Sequence, residues 1–145
     1  AVSLLGPLQR RFDALAAARE LSPEAARAIA RVVEASDGTA AAIGLLERAV
    51  GTFGEAVPLR VDLARLYARA GRGPDAAKQL REALAREPSP ERRAVLEFLV
   101  ADAHERSGSP DAAFEHYLAA SRGGFQAFFA LRAADRIASA IGTVD

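Results

Sequence analysis

Val57–Pro90, VPLRVDLARLYARAGRGPDAAKQLREALAREPSP, is the stretch whose reading decides the fold. Its first half places Val61, Leu63, Ala64, Leu66 and Tyr67 at helical spacing and breaks at Gly71-Arg72-Gly73. Its second half opens on Pro74-Asp75 and places Ala76, Ala77, Leu80, Ala83 and Leu84 before Pro88. Apolar residues every three or four positions make one buried face of a helix. A glycine just past the last turn ends such a helix, and a proline at the first helical position starts the next. The stretch therefore reads as a helix–turn–helix unit of 34 residues, with small and large apolar residues placed where two antiparallel helices meet.

Those landmarks recur. A step back of 34 takes Ala76, Leu80 and Ala83 onto Ala42, Leu46 and Ala49, and takes Leu63, Ala64 and Tyr67 onto Ile29, Ala30 and Val33. A step forward of 37 reaches Ala113, Tyr117 and Ala120, and Val100, Ala101 and His104. Small, large and small residues at a fixed period let two helices approach closely in one register. A further step back of 34 lands on Leu8, Phe12 and Leu15, so the first helix reads as the second half of an earlier repeat. Outward from the quoted stretch, Ser22-Pro23-Glu24, Ser89-Pro90-Glu91 and Ser109-Pro110-Asp111 each supply a capping side chain, a proline and an acid in the first turn. Glycines close the helices at Gly38, Gly51 to Gly54, Gly71, Gly108 and Gly123-Gly124. The marks predict eight helices, over residues 4–20, 23–36, 39–52, 57–70, 74–87, 90–107, 110–121 and 125–141, and no run of alternating β-branched residues predicts a strand.

These residues resemble the tetratricopeptide repeat (TPR). The central unit has Leu63, Ala64, Tyr67, Gly71, Ala76, Leu80, Ala83 and Pro88 at the places of that pattern, and departs from it where Arg60 replaces an aromatic residue and Ala64 a glycine. The resemblance implies an all-α, right-handed solenoid: a half-repeat or cap at 4–20, repeats at 23–56, 57–90 and 94–127, and a capping helix at 125–141, together one domain over 1–145. The flanking repeats are looser, with Gly54 where proline closes the pattern and His104 in place of the tyrosine.

Composition narrows the function classes. The 145 residues carry 19 basic and 19 acidic side chains, so no basic surplus exists to neutralise phosphates, and neither nucleic acid nor an anionic membrane surface is an expected partner. No apolar run approaches the roughly 20 residues of a membrane span. Without cysteine there is no disulfide framework or thiolate chemistry, which leaves the compartment open between cytoplasm and periplasm. Methionine is absent even at position 1, so the N-terminus is expected to come from processing or from a longer parent. The abundance of alanine and the near-exclusive use of arginine over lysine suggest a GC-rich bacterial genome.

No phosphate loop, nucleophile elbow or zinc-binding helix motif is present, so catalysis and cofactors are not expected. His104 and His116, twelve residues apart on consecutive helices, would be able to meet and, with Asp102 or Glu105, to bind a metal. His104 falls at the buried tyrosine place, however, and His116 is expected to face outward, so no metal site is predicted.

In the family, the first helix of each pair lines a concave groove. Carried over by resemblance, its ligand-facing places hold Glu24, Arg27, Arg31, Glu34 and Ala35, then Pro58, Val61, Arg65, Ala68 and Arg69, then Val95, Phe98, Asp102, Glu105 and Arg106. Arg27, Arg31, Arg65 and Arg69 would form a stripe at the start of the groove, with Phe98, Asp102 and Glu105 at its far end. Guanidinium groups pair bidentately with carboxylates, so the expected ligand is an extended protein or peptide segment with acidic and apolar side chains. The opposing expectation is that the arginines only bridge neighbouring helices. Asp62 and Leu99 stand where the family's chaperone-binding members need asparagine and a cation, which disfavours a chaperone tail. Phe125, Phe128 and Phe129 share a helical face that would dock on Tyr117 and Ala120; any part left exposed would contact a further repeat or a second chain. The alternative role is thus structural, an assembly or regulatory segment of a larger protein that self-associates or packs on an attached domain.

Overall fold

The computed structural model describes residues 2–122. They form seven α-helices and, among the described residues, no strand: α1 Leu5–Ala17, α2 Pro23–Asp37, α3 Thr39–Thr52, α4 Val57–Arg69, α5 Gly73–Arg86, α6 Pro90–Arg106 and α7 Pro110–Arg122. The expected eighth helix over 125–141, with Phe125, Phe128 and Phe129, lies outside the described residues. The helices group into two compact units, one ending at Arg72 and the next beginning at Gly73. The division falls inside the quoted stretch, between α4 and α5.

In the first unit each helix packs on the next, and α2 also touches α4. That next-but-one contact is how helix pairs stack when each buries only one face on its neighbour. The core holds Phe12 of α1, Ala26, Ile29, Ala30 and Val33 of α2, Ala42, Ile43, Leu45, Leu46 and Ala49 of α3, and Leu59, Leu63, Ala64, Leu66 and Tyr67 of α4. Removing one such leucine from water is worth roughly 1.5–3 kcal/mol. The second unit packs α5 on α6 and α6 on α7. Its core comprises Ala76, Ala77, Leu80 and Ala83, then Ala94, Leu96, Phe98, Val100, Ala101 and Ala103, then Ala113, Tyr117 and Ala120. Every small–large–small triplet read from the period, from Ala42 to Ala120, is buried. The triplet on α1 is weaker: Phe12 is buried, but Leu8 and Leu15 are only half-buried.

The helix ends follow from the chemistry that marks them. Ser22 Oγ accepts from Ala25 N at 3.1 Å and Ser89 Oγ from Arg92 N at 3.4 Å, each ahead of a proline in the first turn. At the end of α4, Gly71 N donates to Ala68 O at 3.1 Å and Arg72 N to Tyr67 O at 2.8 Å. The end of α6 repeats this with Gly108 to Glu105 at 3.1 Å and Ser109 to His104 at 2.8 Å. This double closure needs a positive φ at its first residue, and Gly71 and Gly108 supply 75° and 77°.

Helix α1 stops three residues before its expected end because the same closure occurs there without a glycine. Arg19 adopts φ 58°, and Arg19 N and Glu20 N donate to Ala16 O and Leu15 O at 3.1 and 2.8 Å. At its other end α1 has no side-chain cap of its own. Asp37, at the end of α2, supplies the cap instead, and its carboxylate accepts from Leu4 N at 3.1 Å, Leu5 N at 2.9 Å and the Ser3 hydroxyl. Arg60, which departs from the family pattern, is buried, and its Nε donates to Gly54 O at 2.7 Å. A charged side chain thus fills the aromatic place by tying down the turn that precedes its own helix.

Candidate functional site

The first unit carries the arginines expected to start the groove. Along α2 the buried positions 26, 29, 30 and 33 leave Arg27 half-buried and Arg31 exposed, and along α4 the buried positions 59, 63, 64, 66 and 67 leave Val61 half-buried and Arg65 and Arg69 exposed. Helical geometry places these side chains on one flank of each helix, and α2 and α4 are neighbours. Arg27 Nε meets Asp62 Oδ2 at 2.7 Å. Glu34, mostly shielded from water, receives Arg69 at 2.8 Å and Arg65 at 3.4 Å on its two oxygens. Three guanidinium groups therefore share two carboxylates, and Arg31 makes no ion pair or hydrogen bond among the described residues.

These pairs join the first helix of one repeat to the first helix of the next, as the opposing expectation for the arginines requires. They leave positive charge in excess. The side chains of Arg65 and Arg69 remain 41% and 58% exposed while engaged, so an incoming anion reaches them without displacing buried groups. Asp62, at a clamp place of the chaperone-binding family members, is occupied in holding Arg27.

The corresponding residues of the second unit are placed differently. Phe98 is buried in a cluster with Ala101, Ala113, Tyr117 and Ala120, its ring 5.5 Å from that of Tyr117. It is a core residue of the α6–α7 pair. Asp102 pairs with Arg106 one turn along α6 at 2.9 Å, and Glu105 accepts the Tyr117 hydroxyl at 2.6 Å. Of the row expected to end the groove, Phe98 is thus core, whereas Asp102 is half-buried and Glu105 exposed, each paired within its own unit.

The histidines correct a further expectation. His116 does not face outward: its ring lies 5.5 Å from that of His104, nearly parallel at 16°, and its Nδ1 meets Glu97 Oε2 at 2.6 Å. The Glu97 carboxylate draws it inward. His104 is half-buried, not fully buried, with Arg81 of α5 3.5 Å from its Nε2. Burial, and then the nearby charges of His116 and Arg81, push the His104 imidazole below its ordinary pKa. No group of three or more potential ligands suited to a metal occurs among the described residues.

At the α5–α6 turn, Glu87 is buried, accepts from Arg92 Nε at 2.8 Å and Ser89 N at 3.2 Å, and is held below the usual carboxylate range chiefly by that Arg92 bond. This cluster fixes a turn, with the Glu87 carboxylate buried and the Arg92 side chain 72% exposed. Among the described residues no helix is long and apolar enough to cross a membrane.

The stacked helix pairs define an all-α repeat protein of the TPR-like solenoid class. The tetratricopeptide repeat family model matches residues 34–98, from the end of α2 into α6, which supports assignment to that family. No curated protein matches the chain. Tetratricopeptide repeats generally mediate protein–protein interaction, and the family is typically a non-enzymatic scaffold.

Proposed function

We propose that this chain is a protein-interaction module that takes an extended, acidic and apolar segment of a partner on the α2–α4 face of its first unit. The observation that carries the reading is the surplus of guanidinium on that face: Arg31 unpaired among the described residues, and Arg65 and Arg69 sharing Glu34 while still exposed. Acidic side chains of the ligand would pair with Arg31 and Arg65, which occupy the same repeat place 34 residues apart. Apolar side chains would lie on half-buried Val61 and exposed Ala35 and Ala68, between the two charged rows.

Binding of the chain to an array of extended peptides, graded from acidic to basic and each containing apolar residues, tests this. The acidic members are expected to bind in a salt-sensitive manner, and Arg31→Glu with Arg65→Glu to abolish that binding while the molecular size in solution stays constant. Equal capture of acidic and basic peptides, or capture indifferent to the double reversal, would refute the assignment. In the alternative assembly role, with Phe125, Phe128 and Phe129 as contacts, size would depend on concentration and Phe128→Asp would remove that dependence.

A further inference from the structure

The 145 residues include two histidines and no cysteine, so the imidazoles are the side chains whose ordinary proton affinity falls in the physiological range. Both lie in the second unit, and the structure stacks them together. The pair is held from three helices. Arg81 of α5 approaches His104 Nε2 at 3.5 Å, α6 contributes His104 itself and Glu97, and α7 contributes His116, bonded through Nδ1 to Glu97 at 2.6 Å. The remaining carboxylates of α6 close to His104 in sequence are engaged elsewhere, Glu105 by the Tyr117 hydroxyl and Asp102 by Arg106. The groups that face His104 are therefore the Arg81 guanidinium and the His116 ring. The carboxylate of the cluster serves the other ring.

We propose that the stacked His104–His116 pair is a proton-responsive joint that loosens the packing of α6 against α5 and α7 when the surroundings acidify below neutral pH. Neutral His104 stacks on its partner and sits beside Arg81 without repulsion. A proton on His104 creates a cation in a half-buried place between a guanidinium and a second imidazole, with no carboxylate paired to it among the described residues. Moving α6 away from α5 or α7 relieves that repulsion. The first unit holds no histidine, so the response is confined to the second.

The direction of the pH effect follows from linkage. The folded state binds a proton at His104 less readily than the unfolded chain, whose imidazole titrates normally. Stability contributed by neutral His104 is thus fully present above the ordinary imidazole pKa of about 6.5 and is lost as pH falls from there through the depressed folded value. Carboxylates lie below this window.

The test uses the full chain. Titration of the two histidine ring protons by NMR should give His104 a midpoint below that of an unstructured histidine. The urea midpoint should fall between about pH 7.5 and about pH 5.5, the range that brackets an ordinary imidazole. His104→Tyr, which installs the residue found at the same repeat place as Tyr67, should remove that fall, and Arg81→Gln should reduce it. If His104→Tyr does not fold, the ring titration and Arg81→Gln still decide. An ordinary or raised His104 midpoint, a urea midpoint that does not change, or an undiminished fall in both variants would overturn the proposal.

Discussion

The inward row of the first unit and that of the second begin as the same places in the same repeat, and they end with opposite fates. Val61 and Phe98 are equivalent under the 37-residue step, as are Arg65 and Asp102, and Ala68 and Glu105. In the first unit the row is a half-open strip of arginines that remain accessible while paired to shielded carboxylates. In the second, the aromatic ring has turned into the α6–α7 core and Glu105 is tied to Tyr117. A repeat place therefore specifies a location on a helix, while the neighbouring side chains determine whether that location is surface or core. Phe98 is pulled in because Ala101, Ala113 and Ala120 are small enough to leave room beside Tyr117 for a second ring.

The largest expected effect breaks this comparison at its centre. Phe98→Ala should cost about 3–5 kcal/mol in chemical denaturation, as for a large core residue truncated to alanine. Val61→Ala, at the same place in the first unit, should cost about 1 kcal/mol or less, since that side chain is only half-buried. Similar costs at the two places would mean that the rows are equivalent after all.

A second experiment separates α1 from the rest of its unit. Asp37→Ala removes the only side-chain cap observed on α1, so the amides of Leu4 and Leu5 should lose hydrogen-exchange protection while those of α3 and α4 keep theirs. The pH response has a defined sign. The Ser3 and Ser36 hydroxyls chiefly hold the Asp37 carboxyl below its ordinary value, with burial opposing them and the Leu4 and Leu5 amides adding lesser support. Its contribution is thus full above the unfolded carboxylate pKa of about 4 and is lost as pH falls through the depressed folded value. Protection of those two amides that persists below that range would exclude the cap.

Smaller gains and losses sharpen the picture. Arg19→Gly should raise stability by about 1 kcal/mol, because a residue with a Cβ at φ 58° carries a penalty that glycine avoids. Thermal unfolding of this variant beside Gly71→Ala, expected to lose about 1 kcal/mol for the same reason, calibrates the helix-closing turn twice in one molecule. The double reversal Arg31→Glu, Arg65→Glu should alter unfolding by no more than about 0.5 kcal/mol per site, since exposed pairs contribute little. A large loss would recast those arginines as structural.

Most of the fold was legible because its signals are local. The Ser-Pro caps at 22–23 and 89–90 and the closing glycines at 71 and 108 act within one or two turns of chain, and six of the seven helices start and stop within one or two residues of these marks. The exception is α1, overread at its C-terminal end because Arg19 adopts the closing conformation without the residue that advertises it. The candidate site was less legible. The positions of Arg27, Arg65 and Arg69 on exposed flanks follow from periodicity, but their pairing with Asp62 and Glu34 depends on side chains 31 to 35 residues away. The inward turn of His116 and the burial of Arg60 had no signal in periodicity either. Each is caused by a single polar partner, Glu97 in one case and the Gly54 carbonyl in the other.

By itself, the sequence determined that this protein is a stack of helix pairs on a period of about 34 residues, because the burial of small and large apolar side chains every third or fourth position suffices to specify helices and their closest faces. Only the tertiary structure decided which polar side chains of the repeat remain available. It left the arginine row of the first unit open, took Phe98 into the core of the second unit, set Asp37 on the start of α1 and brought the two histidines into contact. The physical reason is one of range: a helix is specified by neighbours along the chain, whereas the partner of a charge or a ring is chosen among whatever the packed helices bring within a few ångströms.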